Sequence, residues 1–290
     1  MAARSQSELL LLVPFFALLL LFWGIPLGGG ALMSVQSNTV YGEARFVGLE
    51  NFARLFADPD YWTALKNTAV YLLGSAFFIL PLALSLALLL RRCFPALKPV
   101  LSFTLLMPGL TPPTVLAILF LLVFHGKHGL LNQFLTQPWG LPPIRWLIDP
   151  DFILPALLIQ GLWRWTGFIS FFFLTALDAL PREYFEIAKL EGSKGWQTLW
   201  HVTLPLVRHV VLFAAIYLFI DAIALFSGAY VLLGGSGGTL NAGLLLVNYS
   251  YQKFSFGQFG LATAAGISVL PVMLLLLWLL LIRSVSRRVG

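Results

Sequence analysis

The chain has 290 residues, of which 59% are apolar, 14% aromatic and 10% charged, with a net charge of +6. Soluble domains carry about 25% charged residues, so a soluble enzyme, a disordered protein and a nucleic-acid binder are all poor readings. The basic excess is better read through a bilayer, on whose inner side Lys and Arg collect. An integral membrane protein is expected, with lipid as its surroundings.

A helix crossing about 30 Å of hydrocarbon needs about 20 apolar residues. Six stretches qualify: 9–33, 68–90, 100–124, 152–177, 209–233 and 259–282. The expected fold class is an all-α membrane protein, a single transmembrane domain over 1–290 with six helices. The first stretch follows Arg4 and resembles a signal peptide, but its apolar run exceeds a signal h-region of about 7–15 residues. A retained helix is expected. Residues 34–67 then form a first sizeable loop. The second span leads into Arg91, Arg92 and Cys93, and one cysteine allows no internal disulfide and matches no metal spacing.

Pro108, Pro112 and Pro113 interrupt the third span. Such breaks persist where neighbouring helices or a water-filled cavity satisfy the freed backbone groups. A packing kink and a broken helix lining a cavity both fit. After the loop 125–151, the fourth span carries Arg164 between Trp163 and Trp165. Residues two apart diverge by about 200° on a helix, so at most one of these indoles faces a cavity.

The loop 178–208 is the most informative segment. Pro181 suits a first helical turn, and Glu183 and Glu186 follow where carboxylates favour the N-terminal dipole. Gly192 is a helix stop, and a second amphipathic stretch runs from Trp196 to Val202 before Pro205. Two short helices outside the membrane are expected. The first must bury Ile187, Ala188 and Leu190, either on the bilayer, on its own bundle or on a partner.

The fifth span carries Asp221, with Ser227 and Tyr230 toward its far end; the loop 234–258, with Asn248, precedes the sixth. Arg164 and Asp221 lie 12 residues inside their spans, about 18 Å at 1.5 Å per residue and near the middle of a core about 30 Å thick. An unpaired charge there costs a few kcal/mol. A structural Arg164–Asp221 pair is favoured over a site for substrate hydroxyls. The pathway candidates are Arg164, Trp165, Asp221, Ser227, Tyr230 and Asn248. Aromatic faces suit sugars, although an aromatic in such a chain mostly packs. The four histidines are scattered, and no metal site is expected.

Charge sets the orientation. Arg4, Arg91, Arg92, Lys98, Arg182, Lys189, Lys194, Arg208, Arg283, Arg287 and Arg288 lie on one side, and only Arg45, Arg54, Lys66, Lys127, Arg145 and Lys253 on the other. Eleven against six places both termini in the cytoplasm, with 34–67, 125–151 and 234–258 outside and 178–208 inside.

Glu186, Ile187 and Ala188, then Gly192, then Leu204 and Pro205, resemble the cytoplasmic signature of binding-protein-dependent ABC importer permeases, which reads Glu-Ala-Ala, Gly, Leu-Pro. Phe46-Val47-Gly48-Leu49-Glu50-Asn51-Phe52, with Asp58-Pro59, Trp62 and Asn67-Thr68, is similar to the first exterior loop of the carbohydrate-uptake subfamily. So are Gly129-Leu130-Leu131-Asn132, Trp146-Leu147, Trp163-Arg164-Trp165-Thr166-Gly167-Phe168 and Gly234-Gly235. Ile187 departs from the family's usual Ala, Glu191 from Asp, Ser193 from Ala, and Ser236 from a frequent Pro.

The resemblance implies a type I importer permease. Two such subunits, expected to form a heterodimer with this chain related to the larger maltose-type member, make the pathway. Two ATP-binding subunits lie beneath, and an extracellular solute-binding protein delivers the substrate. Glu186, Ala188, Gly192, Ser193, Leu204 and Pro205 would form the coupling loop. ATP and Mg would sit on the partner subunits, since the chain has no Gly-x-x-x-x-Gly-Lys-Ser/Thr cradle. The cell membrane of a bacterium or archaeon is implied, as are sugars, with glycerol-phosphate-type solutes as the alternative cargo. An ion-coupled transporter using Asp221 and a membrane-embedded enzyme rank below the importer.

Overall fold

Long runs of Leu, Ala, Ile and Phe leave the backbone to satisfy its own hydrogen bonds, and in an apolar surrounding a helix does so within one segment. The computed structural model describes residues 12–37 and 44–285, and it is predominantly helical. Arg4, residues 9–11 of the first expected span, Arg287 and Arg288 lie outside the described residues. The chain divides into two compact units, Met1–Trp62 with Tyr249–Leu274, and Thr63–Asn248 with Leu275–Gly290.

In the first unit, helix α1 (Leu12–Ser34) is long and apolar enough to cross a membrane and contains one π-helical turn at Leu20–Gly24. Two-residue strands β1 (Gln36–Ser37) and β2 (Arg45–Phe46) pair antiparallel, Gln36 opposite Phe46. Helix α2 (Glu50–Ala57) follows. Its buried Asn51 donates to the carbonyls of Ser34 and Gln36, both at 2.9 Å, and so ties α2 to the end of α1. Asp58 accepts from the Tyr249 hydroxyl at 2.8 Å and pairs with Lys253 at 2.7 Å. Burial alone would raise the Asp58 pKa, but the hydrogen bonds from Lys253, Tyr249 and the Asp60 amide outweigh it and hold the carboxyl below its ordinary value. The same pairing, added to burial, pushes the Tyr249 hydroxyl up. Both bonding residues stand on helix α12 (Leu246–Ser255). The stretch 34–67 thus holds the β-pair, α2 and the first residues of helix α3 (Pro59–Arg91).

The second unit carries the candidate sites. Beyond α3 come α4 (Lys98–Leu110) and α5 (Pro113–Val123), a pair bent by 97°. The bend is placed by Thr111 and Pro112, not Pro108, which stays inside α4. Each of these residues precedes a proline and is extended, with ψ of 133° and 135°, as pre-proline sterics require. After the short α6 (Leu130–Leu135), helix α7 (Pro150–Asp178) begins at Asp149, whose carboxylate accepts from the Asp151 amide at 3.1 Å. It packs closely on α4: a Cβ at Gly167 would lie 2.1 Å from the Leu105 carbonyl oxygen. Glycine there is a condition of the contact.

Helices α8 (Glu183–Leu190) and α9 (Gly195–Leu206) fill the expected loop 178–208, and α9 meets α10 (Arg208–Ala224) at 71°. The expected fifth span, 209–233, is not continuous. Leu225 turns extended at ψ 92°, and a separate α11 (Ser227–Leu232) follows. Ala229 and Leu232 of α11 share a buried cluster with Leu116 and Phe120 of α5, so two short helices support each other, one beyond the bend at Thr111–Pro112 and one beyond the break at Leu225. Trp165, Ile169 and Phe173 of α7 pack with Ile79 and Ala83 of α3 and Val210 and Ala214 of α10 in a second cluster. Helix α13 (Phe259–Val285) ends the described chain. Among the described residues, four helices can cross a membrane by length and composition, or six if each bent pair is one span.

Candidate functional site

Two places in the second unit concentrate polar side chains, an apolar-helix cleft and the α8–α9 segment. The cleft, about 290 Å³, is open and is lined by Pro113, Arg164, Trp165, Tyr217, Asp221 and Ser227 among others. The break between α10 and α11 gives it one wall. A smaller void of about 10 Å³ beside it is lined by Tyr71, Gln160 and Gly161, the lower limit for one water molecule.

The expected Arg164–Asp221 ion pair is replaced by a relay. The indole Nε1 of Trp165 donates to Asp221 Oδ2 at 2.8 Å, and the Arg164 guanidinium lies over the Trp165 ring, 4.4 Å from its centroid. No Arg164–Asp221 contact within 4.0 Å occurs among the salt bridges of the described residues. The physical reason is placement. Trp165 is only 5% exposed and is wedged edge-on against Tyr217, with ring centroids 4.9 Å apart, so its N–H, rather than the guanidinium, reaches the carboxylate. The ring then offers Arg164 a π face. Arg164 Nε is buried with no hydrogen-bond partner among the described residues.

The two tryptophans do diverge, as their spacing requires: Trp163 is half exposed and packs edge-on against Phe120. Of the pathway candidates, Arg164, Trp165, Asp221 and Ser227 come together. Tyr230 and Asn248 do not line the cleft. Tyr230 stacks on Phe226, centroids 5.0 Å apart, and Asn248 is buried. Gln160 and Tyr217 were missed although each stands four residues before a charged one, on the same helical face. Because Trp165 is buried, Tyr217 is the aromatic ring more open to the cleft.

In the α8–α9 segment, Gly192 adopts φ +76°. The Ser193 amide returns to the Ala188 carbonyl at 2.9 Å and the Gly192 amide to Lys189 at 3.0 Å, a Schellman ending. A Cβ at Gly192 would meet nothing within 4 Å, so the glycine is needed for its backbone angle and not for space. Only part of the expected apolar face is buried. Ala188 is 5% exposed, whereas Ile187 and Leu190 are 54% and 88% exposed. Glu186 and Ser193 line a second cleft, and Leu204 packs against the α3–α7–α10 cluster while Pro205 is exposed.

A family model described as the inner membrane component of binding-protein-dependent transport systems matches residues 79–289, nearly three quarters of the chain. The chain belongs to this family. The match spans both clefts and the α8–α9 segment. Among its relatives, the arabinooligosaccharides transport system permease protein AraP of Bacillus subtilis (strain 168) is 29% identical over 94% of this chain and 86% of its own length. The trehalose/maltose transport system permease protein MalF of Thermococcus litoralis is 29% identical over 98% and 95%. A chain of a bacterial ABC transporter involved in the import of the acidic polysaccharide alginate shares the fold, with a TM-score of 0.83 over 99% of this chain and 97% of its own, at 21% identity. The transport component is therefore a multi-pass membrane protein with an ABC permease fold.

Proposed function

We propose that this chain is one of two permease subunits, in a heterodimer, of an ATP-driven sugar importer in a bacterial or archaeal inner membrane. The observation that carries the reading is α8: a capped helix between two candidate spans whose Ile187 and Leu190 are left open to an outside partner. That partner is an ATP-binding subunit, one of two, which hold ATP and Mg. The names of relatives that carry arabinooligosaccharides, trehalose or maltose, and lactose support the sugar class. Both chain ends face inward and the chain crosses six times, each bent pair counting as one crossing. An extracellular binding protein delivers sugar to the outer loops.

Closure of the ATP-binding subunits moves α8 as a rigid lever, and α7 and α10, which it joins through α9, change their arrangement together. Packed elements have discrete arrangements, so the motion opens the pathway to one side at a time. In the cleft, Asp221 and Ser227 offer hydrogen bonds to sugar hydroxyls, and Tyr217 offers a ring face to C–H groups. Purification of the chain from its native membrane in mild detergent, with mass spectrometry of its companions, tests the reading. Recovery of an ATP-binding subunit and a second permease is expected. A chain that purifies alone and transports without ATP refutes it.

A further inference from the structure

Helix α8 has two working faces. Tyr184, Ile187 and Leu190 form one, and all three are exposed. Arg182, Phe185, Glu186 and Lys189, spaced i, i+3, i+4 and i+7, form the other. This second face lines a cleft of about 670 Å³ together with Leu88, Arg91 and Arg92 at the end of α3 and Leu199 of α9.

Four cations and one carboxylate line this cleft. Arg91 lies over the Phe185 ring, 4.9 Å from its centroid, and reaches Asp178 at 3.9 Å. Arg92, Arg182 and Lys189 make no ion pair among the described residues. Like charges held around an open, partly apolar hollow repel one another, and an anion between them removes the repulsion. Leu88, Phe185 and Leu199 add an apolar wall beside this basic rim.

A second observation identifies the anion. Trp196 and Trp200 on α9 are 68% and 50% exposed and touch edge to face, with centroids 5.4 Å apart. Phe94 and Leu97, just past Arg92, are also exposed. Exposed tryptophans beside the end of an apolar helix mark the headgroup level of a bilayer, and basic pockets at that level take anionic headgroups. We infer that this cleft binds the phosphate headgroup of an anionic membrane lipid, with Arg92, Arg182 and Lys189 around the phosphate and an acyl chain along the exposed apolar side chains. An ATP-binding subunit docked on Tyr184, Ile187 and Leu190 would leave Arg92, Arg182 and Lys189 to the lipid and meet it at Glu186 and Ser193, which line the same cleft and are implied as coupling residues. The inference rests on the proposed membrane placement of α8. Labelling of Cys93 by a membrane-impermeant maleimide, applied from each side of sealed vesicles, reports that placement independently.

Native mass spectrometry of the delipidated full chain, titrated with phosphatidylglycerol or phosphatidylcholine, tests it. One phosphatidylglycerol per chain is expected to bind roughly tenfold tighter than phosphatidylcholine, and Arg92→Gln/Arg182→Gln/Lys189→Gln should abolish that preference. Arg45→Gln/Lys127→Gln/Arg145→Gln, which removes as much charge from other exposed positions, should keep it, as should the single variant Arg182→Lys. Size-exclusion profiles and circular dichroism establish that each variant is folded. Equal binding of the two lipids, or an unchanged preference in the first triple variant, overturns the inference. So does displacement of the lipid by millimolar inorganic phosphate, which would make the site one for a soluble anion. Loss of ATP-binding-subunit copurification in the first triple variant, with lipid binding intact, would assign the basic face to that subunit and also overturn it.

Discussion

In the apolar-helix cleft, the carboxylate of Asp221 is met by an indole N–H of the same chain. On α8 the opposite holds: Ile187 and Leu190, apolar side chains in a polar segment, are left 54% and 88% exposed. In the first region the Asp221 carboxylate is satisfied internally, although Arg164 Nε and Gln160 Nε2 beside it have no partner among the described residues; in the second the apolar side chains are left open. A buried polar group without a partner costs about 1–3 kcal/mol, so the Trp165–Asp221 bond must form as the chain folds. An exposed leucine costs less, and a helix that docks elsewhere can tolerate it. The Trp165–Asp221 bond therefore reads as part of the chain's own stability, and α8 as an exposed surface that the proposed assembly would cover.

The largest expected effect breaks the second half of this contrast. Proline fixes φ near −65°, whereas Gly192 sits at +76°. Gly192→Pro should destroy the Schellman ending and misdirect α9, while the long apolar helices remain. Binding-protein-stimulated ATPase activity of the reconstituted complex is expected to fall more than tenfold, with the chain still in the membrane fraction. Normal activity in this variant would remove α8 from the coupling path.

Next in size is the hydrogen bond in the cleft. Asp221→Ala strands the Trp165 N–H, and Trp165→Phe removes the donor; each should cost about 1–3 kcal/mol. Because they share one bond, the double variant should cost clearly less than the sum. Arg164→Gln with Asp221→Ala should come closer to additive, since no direct contact joins those two side chains. Thermal unfolding of the detergent-solubilised chain measures all five variants. Stronger coupling for Arg164 than for Trp165 would restore the direct pair and weaken the relay.

Ile187→Ala sharpens the contrast from the other side. Its side chain is exposed, so stability should shift by no more than about 0.5 kcal/mol. Copurification of the ATP-binding subunit should nevertheless fall several-fold. An equal loss of folding and docking would mean that Ile187 supports the chain itself.

How much of this was legible in sequence depended on the range of the signal. The ending at Gly192 was readable because a helix stop is local. That Arg164 and Asp221 come near each other, lining one cleft, was readable from residue counting. Which side chain reaches Asp221 was not, because it depends on how α7 and α10 are rotated against each other, and spacing along one helix does not specify that. The bend at Thr111–Pro112 was announced by its prolines. The break at Leu225–Phe226 was not, since neither residue is a helix breaker and the turn is stabilised by α5 packing on α11. Gln160 and Tyr217 had a usable signal, each lying one helical turn from a charge. Arg92 and Arg182 counted only toward orientation, because the cleft they share is made by tertiary approach.

The smallest expected effect extends the contrast to a third place. Asp58 is also satisfied within the chain, by Tyr249 and Lys253, but it lies outside the candidate spans, where pH can test it. Burial works to raise its pKa, yet its hydrogen bonds prevail and the folded value lies below the ordinary 3.8. Its stabilising contribution is therefore fully present above pH 3.8 and is lost as the pH falls from there through the lower folded value, because the unfolded chain takes up the proton first. Unfolding temperatures followed from pH 6 down to pH 3 should drop more steeply for the native chain than for Asp58→Asn, with the two curves separated at pH 6 and converging below about pH 4. Curves that run parallel through that range would mean that the pairing of Asp58 is as strong in the unfolded chain as in the folded one, and the polar tie between the end of α2 and α12 would then contribute packing but no charge.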